Sequence, residues 1–392
     1  MKSDARTALP MPDATVLAHS IQLQQMVRQQ IAAAGGWISF ARYMETVLYH
    51  PGLGYYSGGA TKFGAAGDFV TAPELSPLFG QTLAQPLAAW LRNTGPQLLE
   101  FGAGSGALAA QLLNTLGDMG CAPQCYFILE LSGALRARQR DTLQQQAPQW
   151  VERVHWLDTL PTDFNGVMFG NEVLDAMPVH LFIKHAGAVW ERGVSEQNGQ
   201  LQFAERPADE MLRAQVQALE TQREAALPDG YLSELCPAAS AFIASVAQCL
   251  QRGVLLLIDY GFPAREYYHT QRTQGTLMCH YRHHAHDDPF LYPGLQDITA
   301  HVDFSAIAQA AHRAGLERIG YTSQARALVN AGITDLAAEL DRSDMATYLH
   351  AARGLQTLLA ESEMGELFKV IAFATAGSDF DTPLFHQGNR QL

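Results

Sequence analysis

Hydrophobic positions change their period several times along the chain. Ile21, Leu23, Met26, Val27 and Ile31 recur at helical spacing and Gly35-Gly36 follows, so an amphipathic helix is expected over residues 21–34. Ser39 can cap a second helix carrying Tyr43, Val47 and Leu48 as far as Pro51-Gly52, and Ser76-Pro77 opens a third from Leu78 to about Leu91. From Leu98 the pattern becomes short apolar runs alternating with helical stretches. Leu98-Leu99-Glu100-Phe101, Cys125–Leu129, Val154-His155-Trp156, Gly166–Phe169 and Val254–Ile258 read as five buried strands. Arg318–Tyr321 and Phe368–Phe373 read as two more, related like a hairpin. Such alternation predicts an α/β protein with a seven-stranded, Rossmann-like sheet.

Two regions break the rhythm. Between the fourth and fifth strands, Leu181–Ile183, Val189–Val194 and Leu201–Phe203 look like a meander, with the Asn198-Gly199 turn before its last run; helices through Val216 and over 237–250 follow. Before the first strand, glycines and aromatics mingle from Gly52-Leu53-Gly54-Tyr55-Tyr56 to Gly67-Asp68-Phe69-Val70-Thr71-Ala72-Pro73-Glu74, as expected of a lid. The resulting division is a loose tail (1–20), a helical and lid region (21–95), a first core half (96–178), an insertion (179–252), a second core half (253–376) and a loose C-terminal tail (377–392).

Composition narrows the function. Of 392 residues 47% are hydrophobic and 17% charged, with a net charge of -13, so a nonspecific grip on nucleic acid or an anionic membrane is not expected. No stretch approaches the ~20 apolar residues of a membrane span. Five scattered cysteines argue against a disulfide framework and for a reducing compartment. The first twenty residues hold Pro10, Pro12, Asp4 and Asp13, no apolar core and few arginines, which predicts neither a secretion signal nor a transit peptide and hence a cytoplasmic protein. His280, His283, His284 and His286 with Asp287-Asp288 match no common zinc spacing; no metal is expected, and the group is read as a polar substrate wall.

Candidate chemistry gathers at the predicted strand ends. Gly102, Gly104 and Gly106 after Glu100 form a turn whose backbone can approach a nucleotide cofactor. Gly102, Gly104 and Ala107 also satisfy the dinucleotide pattern, so the turn alone fits NAD; Glu100 and the late strand pair favour S-adenosylmethionine (SAM). Glu130, at the tip of the second strand, can accept both ribose hydroxyls or cap the next helix. Asp158, after the third strand, is a candidate for the adenine amino group, and Asn171, Glu172 and Asp175 crowd the end of the fourth. Three polar side chains there are costly unless they face a ligand or water.

These stretches, with Asn171-Glu172-Val173-Leu174-Asp175-Ala176, Asp259-Tyr260-Gly261 and Asp297-Ile298-Thr299-Ala300-His301-Val302-Asp303-Phe304, resemble the MidA-like family of SAM-dependent methyltransferases over roughly residues 36–375. Thr71-Ala72 and Val173-Leu174 depart slightly from the family's usual choices. The resemblance implies a class I methyltransferase sheet and places Thr71 and Glu74 at the cofactor. It also implies a protein substrate, such as a quinone-module subunit of respiratory complex I methylated on arginine, and leaves homodimerisation open. Glu172 would orient the acceptor guanidinium, supported by Asp175, with Asn171 at the methionine end of the cofactor. A scaffold that binds SAM without transfer, and an NAD-dependent oxidoreductase, are the alternatives.

Overall fold

The computed structural model describes residues 9–58, 71–377, 380 and 382–392. Its central sheet runs in the order Leu316–Ser323, Phe368–Thr375, Leu250–Phe262, Phe164–Asn171, Gln97–Phe101, Cys125–Leu129, Val154–Leu157. The last five are mutually parallel, while Phe368–Thr375 is antiparallel to both of its neighbours. A two-residue strand, Val302–Asp303, pairs with the end of Leu250–Phe262, so the sheet has eight strands where seven were expected.

Side-chain alternation divides the core. Leu98, Val167 and Leu256 face one layer with the helices Leu78–Asn93 and Ala107–Asp118. Leu99, Met168 and Leu257 face the other with Pro237–Cys249 and Phe304–Arg313. Both faces are covered, which is why these strands read as continuous apolar runs.

The meander belongs to a second, five-stranded antiparallel sheet. His180–His185, Ala188–Gln197, Gln200–Pro207 and Leu232–Leu235 are joined by Trp37–Ser39 from the N-terminal region, which pairs with Ala188–Gln197. Two segments 150 residues apart in sequence thus share one sheet, and their core includes Leu23, Val27, Val47, Leu181 and Val194.

Three expectations are corrected. The first helix starts at Ala14, because Asp13 accepts hydrogen bonds from the amides of Thr15 (3.0 Å) and Val16 (2.9 Å), so the loose tail does not extend to residue 20. The C-terminal tail is docked: Leu384 and Phe385 are buried, Thr322 donates to the Gly388 carbonyl (2.8 Å), and Arg390 forks onto Glu366. The histidine cluster forms a hairpin, Met278–Tyr281 with His284–His286, and none of its four histidines lines the large cavity described below. Within the lid region, residues 59–70, including Gly64 and Gly67 to Val70, lie outside the described residues.

Candidate active site

A cavity of about 550 Å³ opens at the C-terminal ends of the parallel strands, where open α/β sheets bind ligands. Its floor is the glycine turn. Gly102, Gly104 and Gly106 have φ of +60°, +52° and +86°, values that a side chain would strain, and Gly102 and Gly104 line the cavity. Gly106 sits underneath instead: an added Cβ would lie 3.1 Å from Gln139 Cα, so this glycine lets the turn close on the helix Gly133–Gln146.

Two glutamates meet the cavity from adjacent strands. Glu100 is buried and accepts a hydrogen bond from Tyr126 Oη (2.6 Å); burial pushes its pKa up to about 8 despite that bond. Glu130 accepts from the Ser132 amide through Oε1 (2.9 Å) and from Gln139 Nε2 through Oε2 (3.1 Å). The Leu131 amide also bonds to this carboxylate, and the acceptor capacity left over is available to a ligand. Burial raises the Glu130 pKa, opposed by the Ser132 amide and Gln139.

Gln139 was not singled out in the sequence, yet it binds these parts together. Its Nε2 also reaches the Gly104 carbonyl (3.1 Å), and its Oε1 accepts from Trp156 Nε1 (2.8 Å). One fully buried amide therefore links the glycine turn, the second strand's acid and the third strand. A polar residue at a buried helix position between Leu135 and Leu143 was its only sequence signal.

Asp158 does not join the site. Its side chain is 84% exposed and pairs with Arg136 at 2.6 Å, while Arg136 also holds the carbonyls of Glu130 and Leu157. Arg136 draws the carboxylate outward, so the expected adenine contact has no support. Glu74 also stays off the cavity wall, with Arg138 at 3.7 Å, although Thr71 and Pro73 of the same segment line it.

The opposite half is built at the end of Phe164–Asn171. Asn171 Nδ2 donates to Glu172 Oε1 (2.8 Å), and Glu172 takes φ +56°, an uncommon conformation for a non-glycine residue. Burial, and then Asp175, push the Glu172 pKa up to about 8; burial raises Asp175 to about 6. The Oδ1 atoms of Asn171 and Asp175 are buried without a protein partner, so this wall has acceptors to offer a ligand.

Aromatic residues complete the wall. Tyr49 and Tyr56 stack at 5.4 Å, and Phe242 arrives from the helix Pro237–Cys249. Tyr49 donates to the Ala176 carbonyl (2.9 Å) and Tyr56 to buried Asp297 (2.9 Å). The Gly52-Leu53-Gly54-Tyr55-Tyr56 motif was read as a lid; Gly52 and Tyr56 line the cavity, and Tyr56 pairs with Asp297, 241 residues away.

Fold and site define a class I methyltransferase: a glycine turn, an acid on the second strand, and an antiparallel late strand that an NAD-binding sheet does not have. A family profile described as S-adenosyl-L-methionine-dependent methyltransferase matches residues 80–322, more than half of the chain, and the chain belongs to that family, the MidA-like one its motifs resemble. Among solved structures, a protein from Burkholderia thailandensis bound to S-adenosyl-homocysteine is 55% identical, with 98% of this chain and 99% of that one covered and a TM-score of 0.93. Its native crystal form gives a TM-score of 0.89 at the same identity and coverage. The protein arginine methyltransferase NDUFAF7 of Rattus norvegicus is 29% identical over 372 residues, 86% of this chain and 81% of the relative. The Homo sapiens protein of that name is 29% identical over 370 residues, covering 86% and 80%. Both are named as mitochondrial, and this overturns the cytoplasmic location expected from the sequence. The chain is a SAM-dependent methyltransferase.

Proposed function

We propose that the acceptor is an arginine side chain of a protein. The observation that carries this reading is the charge of the cavity: Glu100, Glu130, Glu172 and Asp175 line it, with no lysine or arginine among the described lining residues. Burying carboxyl groups without counter-charges is costly, and a cationic ligand offsets that cost. A guanidinium is such a ligand, as is the sulfonium donor. The relatives named as protein arginine methyltransferases support the same choice.

In this reading Glu130, the glycine turn and Asn171 hold the cofactor. When bound, SAM would supply an electrophilic methyl group, attacked in line as its C–S bond breaks and S-adenosyl-homocysteine leaves. Glu172 pairs with the guanidinium through two N–H donors and keeps one nitrogen facing the methyl position, with Asn171 steadying the carboxylate. The guanidinium sheds one proton as the new N–C bond forms. Glu172, ionised once a cation is bound, can accept it, and the burial that pushes its pKa up to about 8 in the free protein makes it a stronger base than an exposed carboxylate. Tyr49, Tyr56 and Phe242 exclude water from the acceptor.

Purified protein incubated with methyl-labelled SAM and a respiratory complex I-type subunit, the target suggested by the family resemblance, tests the reading. Labelled methylarginine after hydrolysis is expected. Label on any other residue would sink the arginine assignment, and SAM binding without label on any protein supplied would favour a scaffold.

A further inference from the structure

We infer that Asp259 is the positioning residue of the transfer site: its carboxylate gathers the amides of residues 173–175 and so aims Glu172 and Asp175 into the cavity. The inference rests on the preceding assignment of those two acids to the acceptor.

Asp259 itself is buried in the middle of the sheet. It lies on Leu250–Phe262, the strand with Phe164–Asn171 on one side and Phe368–Thr375 on the other, in register with Lys369. Its side chain is 1% exposed. Oδ2 accepts from the amides of Val173 (3.1 Å), Leu174 (2.8 Å) and Asp175 (3.4 Å), and Oδ1 from that of Tyr260 (2.9 Å). Three successive amides converging on one oxygen make the chain turn around a fixed point, as backbone amides do around a bound anion.

The turn needs that anchor. Glu172 sits at φ +56°, and such a conformation persists only where its surroundings over-determine it. The Glu172 amide bonds to the Ile258 carbonyl (2.9 Å), and beyond it the chain leaves the sheet. Leu174 packs into the core with Val173 and Met177 against it, while a second cavity of about 340 Å³ reaches Leu174, Val179, Cys236 and Ala300, so apolar packing holds the side chains and hydrogen bonds must fix the backbone. Other ties act on the acids' side chains, Tyr260 on Asp175 and the Ala72 amide on Glu172, or further along the backbone, the Ala300 amide on the Asp175 carbonyl (3.0 Å) and Tyr49 on that of Ala176 (2.9 Å). Among the described residues, Asp259 alone bridges the sheet to the amides of Val173 and Leu174, between the two acids.

Asp259→Ala should lower kcat about a hundredfold, the cost of misplacing reacting groups by roughly an ångström. S-adenosyl-homocysteine affinity should stay within threefold, because Glu130 and the glycine turn do not touch Asp259 and Asn171 stays paired with Ile258 in the sheet. Amide hydrogen exchange should accelerate in residues 173–178 and stay unchanged in 97–106 and 125–132. Asp259→Asn keeps an acceptor oxygen and should recover part of both losses; it also carries the test if the alanine variant fails to fold. A kcat within threefold of wild type, an affinity loss parallel to the kcat loss, or accelerated exchange spread through the central strands would each overturn the inference. The exchange and affinity measurements use no acceptor. If the wild type methylates a residue other than arginine, or transfers nothing, the arginine reading fails while these two still decide the role of Asp259.

Discussion

Glu130 is the residue on which cofactor affinity should turn. Its carboxylate already serves the Ser132 and Leu131 amides and Gln139 Nε2, and it lines the cavity. If both ribose hydroxyls donate to it, Glu130→Ala removes two hydrogen bonds to a charged group, each worth about 1.5–3 kcal/mol. At about 1.4 kcal/mol per factor of ten, losing even one weakens binding tenfold, and losing both weakens it by roughly two to four orders of magnitude. Burial disfavours the charged form of this carboxylate and pulls the result toward the lower end. Isothermal titration with S-adenosyl-homocysteine is the assay, with Asp158→Ala as the control, because an exposed carboxylate paired with Arg136 should change affinity less than threefold. Normal binding by Glu130→Ala would refute the assignment of the second strand's acid, and a tenfold loss in Asp158→Ala would bring that residue back to the cofactor.

Glu172→Ala should abolish methyl transfer while leaving SAM affinity within a few fold; lost SAM binding would move Glu172 into the cofactor's own contacts. Burial pushes Glu100 and Glu172 up to about 8 and Asp175 up to about 6 in the free protein, and a bound cation favours their ionised forms. SAM should therefore release protons on binding and bind more tightly as pH rises from 6 to 8, with a smaller rise for S-adenosyl-homocysteine, which lacks the sulfonium charge; equal slopes in titrations with buffers of different ionisation enthalpy would contradict this. In the free protein these raised values contribute stability that is complete below the ordinary carboxylate range and lost as pH climbs through 6 to 8, so thermal scans without ligand should show a falling midpoint that SAM restores. Phe385→Ala should cost about 3 kcal/mol in urea unfolding, since the ring is buried against Gly320, where an added Cβ would come within 2.2 Å of it; a loss under about 1 kcal/mol would mean the tail contributes little.

The alternation of apolar runs and helical stretches determined the parallel sheet, because strands buried on both faces and helices buried on one leave different periods in the sequence. The glycine turn and Glu130 were legible for a related reason: a sharp turn needs glycine where φ is positive, and an acid at a strand tip has an uncovered end to work at. Asn171, Glu172 and Asp175 were legible as one cluster because their spacing is local. What failed or went unseen depends on contacts between distant segments. Asp158 was expected at the adenine, and Arg136, from the preceding helix, took it to the surface. Gln139 became a junction only when the helix Gly133–Gln146 packed under the turn and Trp156 reached it from the third strand. Trp37–Ser39 found its partner strand across the insertion, and Tyr56 found Asp297 from the far end of the chain. The sequence by itself determined the elements and the acids carried on their tips, since propensity, turn chemistry and periodicity act within a few residues. Tertiary structure decided which side chains meet: a hydrogen bond about 3 Å long depends on how whole layers pack, and spacing along the chain carries no record of that.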